Sequence, residues 1–379
     1  MPTRTPKPRS RSIRPTDPYA GRRERLIALA REQGVDALLV SSPTDVGYLT
    51  GFLGGDSPLV LSVTGDARPT IVSDSRYEEE LEPLRDSFDI VIRTAPMLDA
   101  LGGVLKATRG VVGLQAETVT IAERGGYSKV LGAKRLKDTT GLVARLREIK
   151  DAGEIALIRR AVKIQEAALL ASLGEVRPGV TELELAARLE FEMKRRGSTQ
   201  PSFETIVGAG ATSALPHYRP GTRKLTSGRV VLIDFGASFG GYRSDMTRTF
   251  SIRSWNKELK RVYAIVLEAH ERAAAALRAG VLSSEVDRAA RSFIAEQGYG
   301  ERFGHGLGHG IGMNVHENPR LHYMGKGTEL QAGQVVTIEP GIYLPGLGGV
   351  RLEDDYVVTP KGAEKLGSLP KDLDWATLG

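Results

Sequence analysis

One segment is written twice in this chain. Residues 225–245, LTSGRVVLIDFGASFGGYRSD, and residues 330–353, LQAGQVVTIEPGIYLPGLGGVRLE, share the pattern L-x-x-G-x-V-V-x-I-[D/E]-x-G, a glycine-bearing turn, and then R-x-[D/E]. Asp234 in the first copy falls on Glu339 in the second, and Asp245, two residues after Arg243, falls on Glu353, two residues after Arg351. In each copy β-branched residues run up to an acid, glycines follow, and extended residues return, which predicts a hairpin with its two acids close together. Two such hairpins related by a pseudo-twofold bring four carboxylates to one place. An uncompensated buried ion costs several kcal/mol, and two arginines are too few for four acids. A pair of divalent cations suits the need: hard ions, oxygen ligands and bridging carboxylates. The competing structural reading is that Asp234–Arg243 and Glu339–Arg351 are salt bridges within a duplicated fold.

The repeat extends beyond the hairpins. RPGVTELELAARLEFEMKRRG (177–197) and RAGVLSSEVDRAARSFIAEQG (278–298) each follow a long helical stretch, with Arg, Gly and Val opening both and Gly closing both. Thr181 with Glu184 reads as a capping box, and Ser284 with Asp287 has N-cap spacing. The second part of the chain therefore reads as two halves, each helix–helix–strand–hairpin, starting near Leu142–Gly153. Before it, from Tyr19 to Gly141, short apolar strands alternate with amphipathic helices, the pattern of a small three-layer α/β domain. That region shows no chemical motif; its glycine pairs, Gly54-Gly55 and Gly102-Gly103, do not form a phosphate-binding fingerprint.

Composition narrows the function classes. There is no cysteine, which excludes thiolate metal sites, disulfides and cysteine nucleophiles and fits a cytoplasmic protein. No run of eighteen apolar residues exists, so no membrane span is expected. The net charge of +6 lies entirely in residues 1–25, where eight Lys/Arg face Asp17 and Glu24. Residues 1–18 thus read as a disordered basic leader on an otherwise neutral protein, with no secretory h-region and no nucleic-acid surface.

Five of the six histidines gather in the duplicated region: His217 in PHY, His305 and His309 in GHGLGHGIG, His316 in VHE, and His322 in LHY. His270, in the helical stretch VYAIVLEAHERAAAAL, reads as a helix-surface residue. His305 and His309 are four apart, but glycines at 304, 306, 308, 310 and 312 argue against a helix. An extended segment instead puts both on one face. One imidazole completing a metal site, with others as hydrogen-bond donors, is the chemical use expected of the set.

The ordered contexts DFG, SDMTRTF, GHGLGHGIG, VHE, IEPGIY and VRLEDD closely resemble the pita-bread metallopeptidases, a group that holds methionine aminopeptidase, aminopeptidase P, prolidase and the metal-free creatinases. The resemblance implies an α/β (α+β) chain: a creatinase-like α/β domain over 19–145 and a pseudo-twofold pita-bread catalytic domain over 150–370. The amino-terminal domain, with His217, HGLGH and His316, points to the Xaa-Pro branch. Carried over by motif, Asp234 chelates one metal, Asp245 and Glu353 bridge, and His309 and Glu339 complete the other. Manganese or cobalt is usual in that branch, and zinc occurs. His217 and His316 match the pair that contacts substrate and the tetrahedral intermediate, His305 a histidine lining the pocket, and Arg351 an arginine beside the bridging glutamate. Glu339 is the expected proton carrier, with His217 and His316 as catalytic hydrogen-bond donors.

The activity so implied is dinuclear, metal-dependent hydrolysis of the Xaa-Pro bond in short peptides with a free amino terminus, by a homodimer. A methionine aminopeptidase or an inactive scaffold is the alternative, and the filled ligand set speaks against the scaffold. A dipeptidase needs a cation for the proline carboxylate, and Arg219, Arg223 and Arg320 are candidates. The short amino-terminal domain favours dipeptidase over aminopeptidase P.

Overall fold

The computed structural model describes residues 17–65 and 67–379, which divide into a first unit ending at Val143 and a second, Ala144–Gly379. The expected basic leader lies almost wholly outside the described residues. No helix among these is long and apolar enough to cross a membrane.

The first unit is a mixed six-stranded sheet. Its strands are β1 (Ala37–Val40), β2 (Leu59–Ser62), β3 (Thr70–Ser73), β4 (Asp89–Ile92), β5 (Val112–Gln115) and β6 (Leu136–Thr139), in the order β4-β3-β2-β1-β5-β6. Every residue of central β1 is buried, so the sheet is covered on both faces. The helices are α1 (Ala20–Glu32), α2 (Pro43–Thr50), α3 (Glu78–Leu81), α4 (Met97–Ala107) and α5 (Ile121–Leu131). Leu101 and Leu105 of α4, with Tyr127 and Leu131 of α5, close one core. Gly102 and Gly103 lie inside α4. Periodicity did not reveal α2, PTDVGYLT; it begins because the Ser42 hydroxyl caps the Asp45 N–H and proline opens the first turn.

After α6 (Leu142–Glu148), the second unit runs α7 (Ala152–Ser172), α8 (Glu182–Arg195), β7 (Ile206–Ala209) and β8 (Val230–Phe235). A small hairpin follows, β9 (Ser238–Phe239) and β10 (Tyr242–Arg243), and then β11 (Met246–Ile252). The second half runs α9 (Lys257–Ala276), α10 (Ser283–Glu296), β12 (Gly308–Gly310), β13 (Glu317–Leu321) and β14 (Val335–Ile338). Its own small hairpin is β15 (Gly341–Leu344) and β16 (Gly348–Arg351), closed by β17 (Asp354–Val358). Strands β7, β8 and β11 are neighbours in one sheet, as β12, β14 and β17 are in the other. Each copy of the repeated segment is thus two nested hairpins rather than one, because the glycine-bearing turn forms a short ladder of its own.

The four helices and both sheets share one core, in which Leu185, Leu189, Val266 and Ala290 meet Val231, Ile233, Val336 and Ile338. The two halves are stitched together where β11 meets the second copy. Glu353 N–H donates to Thr247 O at 3.1 Å, and the Thr249 hydroxyl donates to Arg351 O at 3.0 Å.

Two local expectations need correction. Thr181 and Glu184 do form the reciprocal capping box, but Ser284 is not the cap of α10. That helix starts after Leu282, whose N–H donates to Glu285, and Asp287 instead binds Arg291 and the Leu307 N–H. His270 is not on the surface: it is wholly buried, with Nε2 3.6 Å from Asp354 Oδ2. The face of α9 that carries it packs inward, and burial lowers its pKa to about 3, so it stays neutral.

Candidate active site

Strand ends deliver the acids. Asp234 is near the end of β8 and pairs in register with Thr247 of β11, two residues beyond Asp245. Since side chains alternate, Asp234, Thr247 and Asp245 share a face. In the second copy Ile338 pairs with Asp354, so Glu339 and Glu353 are the next residues of their strands. His309 is the middle residue of β12. Glycine is required beside it by close approach: a Cβ on Gly308 would lie 2.0 Å from Thr337 O, and one on Gly236 of the DFG segment 1.9 Å from Ser244 O. Gly308→Ala is therefore expected to lower unfolding stability by about 1–3 kcal/mol, as measured by urea denaturation. An unchanged midpoint would show that β12 and β14 are not held this tightly.

Asp245, His309 and Glu353 offer ligand atoms all within 4.8 Å of one another. His309 Nε2 lies 3.7 Å from Asp245 Oδ2 and 3.5 Å from Glu339 Oε1. Its Nδ1 is 3.1 Å from the Gly310 carbonyl, which can only accept. The proton is therefore on Nδ1, and Nε2 presents a lone pair to the acids. Asp234 Oδ1 and Asp245 Oδ1 are buried and make no hydrogen bond. Orphaned oxygens of this kind are costly unless something binds them.

These groups open into a cavity of about 610 Å³ whose wall also includes His217, His305, His316, His322, Arg219 and Arg320. His217 lies in an exposed loop before β8, and His316 just before β13, its ring edge-on to that of His309 at 4.4 Å between centroids. His305 does not share a strand with His309; it sits in a turn before β12. All the histidines expected at the site reach the cavity wall.

Residues 156–360 match the family described as metallopeptidase family M24, and residues 22–149 match the Creatinase/Prolidase N-terminal domain. The chain belongs to metallopeptidase family M24. It is 36% identical over 354 residues to the Xaa-Pro dipeptidase of Pyrococcus furiosus, covering 93% of this chain and 99% of that one. The structure of the Xaa-Pro dipeptidase from Bacillus anthracis superposes with a TM-score of 0.90 at 37% identity, covering 95% of this chain and all of the other. The X-Pro aminopeptidase from Thermotoga maritima gives 0.84 at 36% identity over 92% of this chain and 99% of that one.

The electrostatics of this M24 metallopeptidase suit divalent cations. Burial, then repulsion from Glu353 and Asp234, holds the Asp245 carboxyl well above the usual range. Glu339 is likewise raised by burial and by Glu353. Glu353 is pushed up to about 8 by burial and Asp234. His309 is lowered to about 3, first by burial and then by His316, and so stays neutral. Carboxylates that resist ionisation together, a neutral imidazole and unsatisfied buried oxygens are the donor set hard divalent ions take.

The arginines depart from the simple salt-bridge reading. Arg351 of the second copy reaches Asp234 of the first, Nη2 to Oδ2 at 2.5 Å. Arg243 instead donates to the carbonyls of Met313 and Ser202. Arg351 also donates to Tyr343 Oη at 2.8 Å, and Tyr343 O–H is 2.9 Å from His305 Nε2. His305 Nδ1 is 2.8 Å from the Gly306 carbonyl, so Nε2 accepts from Tyr343. His305 is thereby tied to Arg351.

Several supporting residues escaped the sequence reading although they lie inside its motifs. The Thr247 hydroxyl donates to Glu353 Oε2 at 2.6 Å, and Asp355 accepts the Asp245 N–H at 3.0 Å. Arg248 donates to Glu353 O at 2.6 Å and pairs with Asp354 at 2.7 Å, both partners buried. Their positions in SDMTRTF and VRLEDD were the available signal; their partners lie a hundred residues away.

Proposed function

We propose that this M24 metallopeptidase hydrolyses the bond between an amino-terminal residue and proline, and that it acts on Xaa-Pro dipeptides in preference to longer peptides. The observation that carries the preference is Arg320. It stands directly opposite His309 across the β12–β13 ladder, so both side chains project to the same face, and it lines the cavity. Of the other candidate clamps, Arg219 is held by Glu204 at 3.1 Å, with both side chains largely exposed, and Arg223 is not part of the cavity wall. A guanidinium facing the acid cluster is suited to a proline carboxylate, and relatives named Xaa-Pro dipeptidase support the reading.

Asp234, Asp245, His309, Glu339 and Glu353 would together hold two divalent ions. Four carboxylates with one imidazole and no thiolate favour manganese or cobalt over zinc. When bound, such ions would supply a water acidic enough to ionise near neutrality and a Lewis acid for the scissile carbonyl. Glu339 takes the proton of the attacking water and returns it to the proline nitrogen as the bond breaks. His217 and His316 donate hydrogen bonds to the carbonyl oxygen and the substrate backbone. Arg351 holds Asp234 in place and orients His305 through Tyr343. The proposal includes a cytoplasmic homodimer.

Rates on Ala-Pro, Ala-Pro-Ala and Met-Ala with manganese-loaded protein test the reading. Ala-Pro is expected to turn over at least tenfold faster than Ala-Pro-Ala, and Met-Ala not detectably. Comparable rates on the tripeptide would favour an aminopeptidase, cleavage of Met-Ala alone a methionine aminopeptidase, and no turnover a binding scaffold. Losing a hydrogen bond to a charged group costs about 1.5–3 kcal/mol. Arg320→Ala should accordingly raise KM for Ala-Pro roughly 10- to 100-fold and change that for Ala-Pro amide far less.

A further inference from the structure

The residue that opens the second helix of each half makes the same backbone contact, and its side chain accepts an N–H from the segment it meets. In the second half, Ser283 N–H donates to Thr328 O at 2.8 Å and its hydroxyl accepts the Thr328 N–H at 3.1 Å. In the first half the corresponding residue is Glu182, whose N–H donates to Arg223 O at 3.0 Å and whose Oε2 accepts the Gly221 N–H at 3.2 Å. A serine serves at this position in the second half, yet the first half buries a carboxylate there at 0% exposure.

The additional oxygen capacity is used on one loop. Glu182 Oε1 accepts the Ala209 N–H at 2.9 Å and the Thr212 hydroxyl at 2.6 Å, and Oε2 accepts the Tyr218 hydroxyl at 2.8 Å. Ala209 is the last residue of β7, and Thr212, Tyr218 and Gly221 follow along the segment that carries His217. An exposed loop thus has a buried carboxylate at its base, and this carboxylate also sits at a helix N-terminus, where negative charge is favoured.

We propose that Glu182 is a positioning residue, and that its bond to Tyr218 is the latch that fixes His217 over the cavity. Without it the loop keeps its backbone path near β7 but loses its tie next to the histidine. Substrate then meets a mobile imidazole and forfeits the advantage of a group held in place before binding. The inference rests on the Xaa-Pro reading only for its choice of substrate.

Two measurements on Tyr218→Phe and Glu182→Gln test it. Backbone hydrogen exchange over residues 209–221 should quicken at least tenfold in Tyr218→Phe and more in Glu182→Gln, with α7 and β11 unchanged; equal rates in parent and Tyr218→Phe would overturn the latch. On Ala-Pro, Tyr218→Phe should lower kcat/KM about tenfold in the parent but less than twofold in a His217→Ala background, with manganese affinity unaltered. Losses of equal size in both backgrounds mean that Tyr218 acts independently of His217, and they also overturn the inference. Tyr218→Phe removes one hydroxyl and carries the test if Glu182→Gln fails to fold. Should the parent not cleave Ala-Pro, the functional reading falls, and the exchange result still decides the latch.

Discussion

Asp245→Asn is expected to abolish turnover of Ala-Pro, lowering kcat/KM by on the order of 10³–10⁵, the rate equivalent of several kcal/mol of lost charge stabilisation. The same substitution should leave the metal-stripped protein at least as stable as the parent. Asp245 is buried against Glu353, Asp234, Asp355 and Glu339, and its Oδ1 has no hydrogen-bond partner. Asparagine keeps the shape and the backbone bond to Asp355, and it removes one member of a set of repelling acids. The combined signature is activity lost, stabilisation by manganese lost, and stability without metal retained. Thermal unfolding with and without the ion, alongside the dipeptide assay, reads all three. A variant that hydrolyses Ala-Pro at the parent rate would remove Asp245 from the centre.

Stripping the divalent ions should give the protein a stability that falls as pH rises from about 6.5 to 8.5. Asp245, Glu339 and Glu353 all have folded pKa values above those of the unfolded chain, Glu353 reaching about 8. A carboxyl of this kind holds a proton in the folded state that the unfolded state has released. Stability is therefore highest below the unfolded value and is lost up to the folded one, at about 1.4 kcal/mol per pH unit for each proton held. The buried histidines act in the opposite sense: His270 and His309 are lowered to about 3 and His305 to about 4, so their contribution is lost as pH falls below the ordinary 6.5. Between about 6.5 and 7.5 the unfolded histidines lose their remaining protons and offset part of the acids' loss; above about 7.5 they are nearly all neutral in both states and the acids set the slope. Bound divalent ions depress the same carboxyls and should flatten the slope. Urea unfolding at pH 6.5, 7.5 and 8.5, with chelator and with manganese, makes the comparison. Parallel slopes would show that these carboxyls do not share a metal site.

Much of this centre was legible because duplication left a written record. The acids at 234, 245, 339 and 353 could be aligned by motif before any contact was known, and the glycines around His309 excluded a helical zinc motif. The sequence could not show the partners. Nothing near Arg351 says that it crosses to Asp234 rather than pairing within its own copy, because Glu353 is closer in the chain. His270 was misplaced although a signal was present: it follows Leu259, Val262, Tyr263 and Val266 on the apolar stripe of α9, and only its polar type argued for the surface, because the buried Asp354 beside it lies more than eighty residues away. Glu182 passed as an ordinary first-turn acid beside Thr181, since its four donors follow twenty-seven to thirty-nine residues later.

Residue type and periodicity by themselves determined that two like halves exist, that each ends its strands in acids, and that the histidines accompany them; these follow from local sterics and the two-residue alternation of a strand. Tertiary structure alone decided which oxygens are left without partners, which arginine neutralises which acid, and that Arg320 faces His309. Those outcomes depend on desolvation and on distances between segments far apart in the chain, and neither quantity is defined until the two hairpins have packed together.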